Sequence, residues 1–136
     1  MPNIHASSVC IKNKGILLLG DSGAGKSDLS LRLIMRHQAV LVADDRVDIT
    51  ADNGIITASA PKILQGLLEV RGIGLVKTDY LPKAEICAVF ELVSGQIERM
   101  PEMQYYEIGT QKLPLFKINP FEVSAPEKVL AALSLL

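Results

Sequence analysis

Gly20-Asp21-Ser22-Gly23-Ala24-Gly25-Lys26-Ser27 is the stretch that decides the fold. It has the pattern Gly, four residues, Gly-Lys-Ser, and it stands between an apolar run, Ile16 to Leu19, and a stretch with helical spacing, Lys26 to Arg36. Glycines at 20, 23 and 25 permit turns that aim successive backbone amides inward, where larger side chains would block a phosphate. A helix starting near Lys26 adds unsatisfied N–H groups and the positive end of its dipole. Lys26 can then bridge the terminal phosphates of a nucleotide, and the Ser27 hydroxyl is placed to ligate Mg²⁺. A Gly-rich turn without a ligand is the weaker account, because such a turn has no need of Lys26.

Working outward, short apolar runs alternate with turn clusters at Val9 to Ile11, Val40 to Ala43, Val47 to Ile49, Ile55 to Thr57, Ile86 to Leu92 and Leu113 to Ile118. With Ile16 to Leu19 these are the expected strands. Asp52-Asn53-Gly54 tolerates positive φ, so Val47 to Thr57 reads as an antiparallel hairpin. Helical spacing occurs in Lys26 to Arg36, in Lys62 to Val70, and in the apolar tail Val129 to Leu136. Ser124-Ala125-Pro126-Glu127 fits a capping box ahead of that last helix. The tail is expected to pack on the sheet or on another subunit, and Ser94 to Gln104 to form a mobile loop. The fold class is α/β, a mixed central sheet with flanking helices.

The 136 residues, 49% hydrophobic and 21% charged, suit one domain spanning 1–136, since a chain of this size buries one sizeable core but hardly two. A net charge of −1 with scattered Lys and Arg offers no basic stripe, and three Phe, three Tyr and no Trp leave few stacking platforms, so nucleic acid is not an expected partner. No segment reaches the ~20 apolar residues of a membrane span, which makes the expected location cytoplasmic. Cys10 and Cys87 sit in separate apolar runs without zinc-ligand spacing and read as buried thiols.

Two further segments carry charge where a packing role explains little. Val40 to Ala43 runs into Asp44-Asp45, and ligands in open α/β sheets gather at the carboxyl ends of strands. If this strand lies beside Ile16 to Leu19, the two carboxylates face the phosphates. Adjacent residues in an extended chain point oppositely, so one Asp addresses the metal or nucleophile and the other supports the site. A carboxylate there can accept a hydroxyl proton during attack on a γ-phosphate. In Leu68-Glu69-Val70-Arg71-Gly72-Ile73-Gly74, Glu69 can hold Mg²⁺ directly or through water, and Arg71 can stabilise phosphoryl charge or bind a partner.

Together the phosphate loop, Ala43-Asp44-Asp45-Arg46-Val47 and the segment from Leu68 to Gly74 resemble, in order and spacing, the HPr kinase/phosphorylase family. Ile4-His5-Ala6-Ser7 is similar to that family's histidine motif. The likeness is close over residues 4 to 74 and looser to about residue 120. It implies a nucleotide-binding domain of the HPr kinase type. The implied activity is transfer of phosphate from ATP, with Mg²⁺, to a serine of HPr, the small phosphocarrier of the sugar phosphotransferase system, in regulation of carbon metabolism. Carried over by motif, Asp45 is the base toward the serine, with Asp44 beside it, and His5 a catalytic neighbour. Ser27 and Glu69 are the metal ligands, Lys26 and Arg71 act on phosphate, and Arg99 corresponds to a catalytic arginine.

The family tends toward hexamers, so a homo-oligomer is expected. Full-length members carry an extra N-terminal domain, and here the motif histidine is residue 5, which reads as a catalytic domain alone. The arginine- and proline-rich loop linked in the family to dephosphorylation is replaced by Ile118-Asn119-Pro120-Phe121-Glu122. The expectation is kinase activity with weak or absent phosphorolysis. Two rivals are a nucleotide-sensing module without catalysis and a kinase of a small metabolite.

Overall fold

The computed structural model describes residues 2–136. In chain order it forms β1 (Asn3–Ile4), β2 (Ala6–Ile11), β3 (Lys14–Leu19), α1 (Lys26–His37), β4 (Val40–Ala43), β5 (Val47–Asp52) and β6 (Ile55–Ser59). A single 3₁₀ turn, Lys62–Leu64, precedes β7 (Leu67–Val70) and β8 (Gly74–Lys77), followed by β9 (Ala84–Leu92), β10 (Gln104–Ile108), β11 (Gln111–Ile118) and α2 (Ala125–Leu133). All seven expected strands are present, as are the first and last helices.

The central sheet runs β1-β5-β6-β9-β3-β2-β4, with β11 also on β9 and β10 on β11. It is mixed, because β3 and β11 lie parallel to β9 while the other pairings are antiparallel. One edge of β9 is shared in succession by β6 and β11, and the sheet curls at that branch. Strands at its centre read as unbroken apolar runs because both faces are covered. Ile16 and Leu18 of β3, with Ala88 and Phe90 of β9, join Leu29 and Leu33 of α1 and Val129 and Leu133 of α2 on one face. Leu17 and Val89 point to the other, where Ile49, Ile56 and Ala58 close a second cluster. Both helices therefore flank the same face, and the tail packs on the sheet, with Leu135 and Leu136 left exposed.

Three expectations are corrected. β4 does not pair with β3; β2 lies between them. The cause is a hairpin closed by Lys12 and Asn13, both at positive φ (51° and 66°), which folds β2 directly onto β3 and takes that edge. The helix expected over Lys62 to Val70 is reduced to one 3₁₀ turn, and Leu67–Val70 is a strand paired with Gly74–Lys77. Gly66, at φ +72°, stops the helix, and its missing side chain makes room for Tyr80, since a Cβ there would lie 2.9 Å from Tyr80 Cδ1 and 3.1 Å from the Thr78 carbonyl. Gly66→Ala is accordingly expected to destabilise the fold by about 1–3 kcal/mol. A lower urea midpoint at unchanged slope would register this.

The third correction concerns the capping box. Ser124 stands at the N-cap of α2 without a side-chain hydrogen bond, and Glu127 pairs with His37 at the end of α1 instead. That hydrogen bond holds the Glu127 carboxyl below its ordinary range. The expected hairpin does form, with Asn53 and Gly54 both at positive φ. Cys10 and Cys87 are free thiols, and burial pushes both upward in pKa. Residues 93–103 form no helix or strand. Among the described residues no helix is long and apolar enough to cross a membrane.

Candidate functional site

β2 is antiparallel to both β3 and β4, so β3 and β4 run in the same direction and finish at the same end of the sheet. The start of β2 lies between their ends. Residues 5–7, the loop after β3 and Asp44-Asp45 after β4 therefore converge, and β9, parallel to β3, brings Leu92 to the same end. Sheet topology alone gathers three of the four segments singled out in the sequence.

The loop turns through Ala24, whose amide donates to the Asp21 carbonyl at 2.9 Å, and through Gly23 and Gly25 at φ +84° and +101°. Gly25 is the N-cap of α1 and offers no side-chain cap, so the first amides of the helix have no partner inside it. Lys26 is almost fully buried, and its Nζ donates to the carbonyls of Gly20 and Asp21 at 2.6 and 3.0 Å. Burial lowers its pKa, opposed by the carboxylates of Asp45, Asp44 and Asp21.

The two aspartates face opposite ways, as expected, but in a turn just past the end of β4. Asp44 is 6% exposed and gathers donors around its carboxylate. Ser7 Oγ donates to Oδ1 at 2.7 Å, Ser27 Oγ lies 2.7 and 3.0 Å from the two oxygens, and the Glu69 amide donates to Oδ2 at 3.0 Å. Asp45 turns outward, its side chain 69% exposed, and its Oδ1 is 2.9 Å from His5 Nε2. Its backbone is left-handed, at φ +72°, a conformation that Asp tolerates better than most residues.

The strand register of β7 buries Leu68 and turns Glu69 outward. Glu69 and Arg71 line a cleft of about 490 Å³ with His5, Lys26, Ser27 and Asp45. A second cleft, about 800 Å³, lies across the loop between Gly20–Ala24 and residues 91–94, and His5 and Phe121 belong to both. Arg99 is the exception: it is exposed in the segment between β9 and β10 and lines neither cleft.

Oxygen ligands suit a hard cation, and Ser27 Oγ lies against the Asp44 carboxylate, with Glu69 at the rim of the same cleft. Among the described residues no group of three or more His, Cys, Asp or Glu is gathered to hold a metal by itself. Two residues at the site, Ser7 and Phe121, stood within segments quoted from the sequence but were given no role there. Ser7 closes the histidine motif, which could have flagged it, whereas Phe121 lies about a hundred residues from the loop it adjoins.

Residues 2–87 match the family model described as HPr Serine kinase C-terminal domain. The HPr kinase/phosphorylase of Lactobacillus acidophilus is 39% identical over 137 residues, covering 93% of this chain and 41% of that protein. That of Ralstonia pickettii is 38% identical over 128 residues, covering 85% and 39%. The chain thus spans about two fifths of the length of the curated relatives it matches. The solved HPr(Ser) kinase/phosphatase from Coxiella burnetii superposes with a TM-score of 0.84 over 98% of this chain and 95% of that one. At 24% identity this likeness speaks for the fold, and it is the α/β fold of the kinase type expected from the sequence.

Proposed function

The chain belongs to the HPr serine kinase family, matching its C-terminal domain, and from that premise we propose that it transfers the terminal phosphoryl group of ATP to a serine of an HPr-type phosphocarrier protein. The observation that carries the reading is one cleft containing Lys26, Ser27 and the outward carboxylate of Asp45, with the phosphate-type loop as its wall. The loop amides and Lys26 hold the phosphate chain and neutralise the charge that develops on it. The serine oxygen bonds to the γ-phosphorus as the bond to the β-phosphate oxygen breaks and ADP departs. Asp45 takes the hydroxyl proton, and His5, hydrogen-bonded to that carboxylate, orients it. Ser27 and Glu69, with Asp44 behind them, would hold Mg²⁺, which supplies charge neutralisation at the phosphate oxygens. Arg71, on the rim, acts on phosphoryl charge or on the incoming protein.

On the same reading the enzyme is cytoplasmic and homo-oligomeric and regulates carbon metabolism through the sugar phosphotransferase system. Its phosphorolysis is weak: the turn beside the loop presents Phe121, and the nearby Arg32 guanidinium is engaged by the carbonyls of Pro120 and Glu122. Purified protein incubated with γ-labelled ATP, Mg²⁺ and HPr is expected to label HPr on serine. Tight ATP binding with no label on HPr would point to a sensing module, and label on a small metabolite to a different acceptor; either result defeats the proposal.

A further inference from the structure

Phe121 presents an anomaly. It is a large aromatic, 68% exposed, yet the turn that carries it is held at several points. The Arg32 guanidinium of α1 donates to the carbonyls of Pro120 and Glu122, on either side of the ring. Asn119 Oδ1 accepts the Phe121 amide at 3.0 Å, and the Glu122 amide donates to the Asn119 carbonyl at 3.3 Å. Lys128 ties Glu122 to the first turns of α2. Such anchoring fixes the backbone that presents a side chain belonging to neither apolar cluster.

The anchored ring is set against the phosphate loop. A Cβ on Gly25 would meet Pro120 Cγ at 3.2 Å and Phe121 Cε1 at 3.7 Å, so the turn and the loop are in near contact. Phe121 borders both clefts, and Asp28 and Leu31, one helical turn apart on α1, line the same cleft beyond the loop. Because the ring borders both clefts, a triphosphate held by the loop amides that left Lys26 and Ser27 through either one would bring its nucleoside beside it.

We infer that Phe121 is the nucleobase platform of this site, an anchored aromatic face on which the base of the bound nucleotide stacks. The inference rests on the nucleotide reading given above and deepens it. Stacking recognises the π-face that every base has, and the ring offers no hydrogen-bonding group to read a base edge. The ring is therefore a determinant of affinity for nucleotides over bare polyphosphate.

Two ligands separate this role from that of the loop: Mg·ATP, which has a base, and Mg·tripolyphosphate, which has none. Phe121→Ala is expected to weaken ATP binding about 5- to 150-fold, while tripolyphosphate binding is unchanged. The chain has no Trp, so Phe121→Trp supplies a unique fluorophore, whose emission should change on addition of ATP and stay constant with tripolyphosphate. Equal losses for both ligands in Phe121→Ala would mean that the turn merely shapes the loop, and undiminished ATP affinity would mean that the ring is idle. Either overturns the inference and leaves the phosphate loop standing. Failure of the unsubstituted protein to bind either ligand would bring down the nucleotide reading and this one together.

Discussion

Lys26→Ala is expected to lower phosphoryl transfer by at least about 10²- to 10³-fold, the loss typical when one preorganised donor to developing charge is removed. The ammonium is nearly buried, bonded to two loop carbonyls, and surrounded by the fields of Asp45, Asp44 and Asp21, so it is fixed in place before any phosphate arrives. Its lowered pKa makes the structural consequence predictable. A lysine whose folded-state pKa lies below its unfolded value disfavours folding at every pH where it stays protonated, and that penalty fades only as pH rises through the folded value. Lys26→Met keeps an apolar stem in the same space and relieves the buried charge but gives up both loop-carbonyl hydrogen bonds, so it should stay folded, melting close to the unsubstituted protein, while remaining inactive. Single-turnover transfer to HPr and a thermal melt on the same preparation read both quantities. Activity retained in either variant would show that the loop holds its phosphates without this side chain.

Asp45→Asn is expected to bind ATP normally and to lose about 10²- to 10⁴-fold in kcat, the range for a general base. The choice of Asn follows from the backbone. Residue 45 sits at φ +72°, which Asn adopts as readily as Asp, and the amide oxygen can still face His5 Nε2, so proton acceptance is the property removed. Asp45→Ala would add the cost of a left-handed backbone without a tolerant side chain and confuse the comparison. Normal turnover by Asp45→Asn would move the base elsewhere.

How much of this was legible in the sequence depended on what kind of signal each part carries. The phosphate loop is local: its glycines, Lys26 and Ser27 act through backbone geometry within eight residues, so the pattern is nearly the site. The opposite facing of Asp44 and Asp45 matches the expectation from alternation but has another cause: β4 ends at Ala43, and the left-handed turn at Asp45 swings the second carboxylate outward. The pairing of β4 is not local, because it depends on which edge the Lys12-Asn13 hairpin leaves free, and Lys12 is an unusual residue for such a turn. In Lys62 to Val70, Ile63, Leu64, Leu67 and Leu68 satisfy helical spacing, yet a short apolar run fits either period. Gly66 decides between them, and the strand that results brings the Glu69 amide onto Asp44, a contact no helix there was expected to make. Ser124 and Glu127 form a pattern that His37, ninety residues away in sequence, interrupts.

The insertion of β2 sets a working dimension. Neighbouring strands stand about 4.8 Å apart, so the strand feeding the loop and the one ending at the aspartates are separated by roughly twice that, near 10 Å. The start of β2 bridges that distance, with Ala6 pairing Leu19 on one side and donating its amide to the Asp45 carbonyl on the other, so one backbone ladder fixes the breadth of the berth between the loop and the aspartates. Because that spacing is built from backbone hydrogen bonds, side-chain substitutions can change what sits in the berth while leaving its breadth in place.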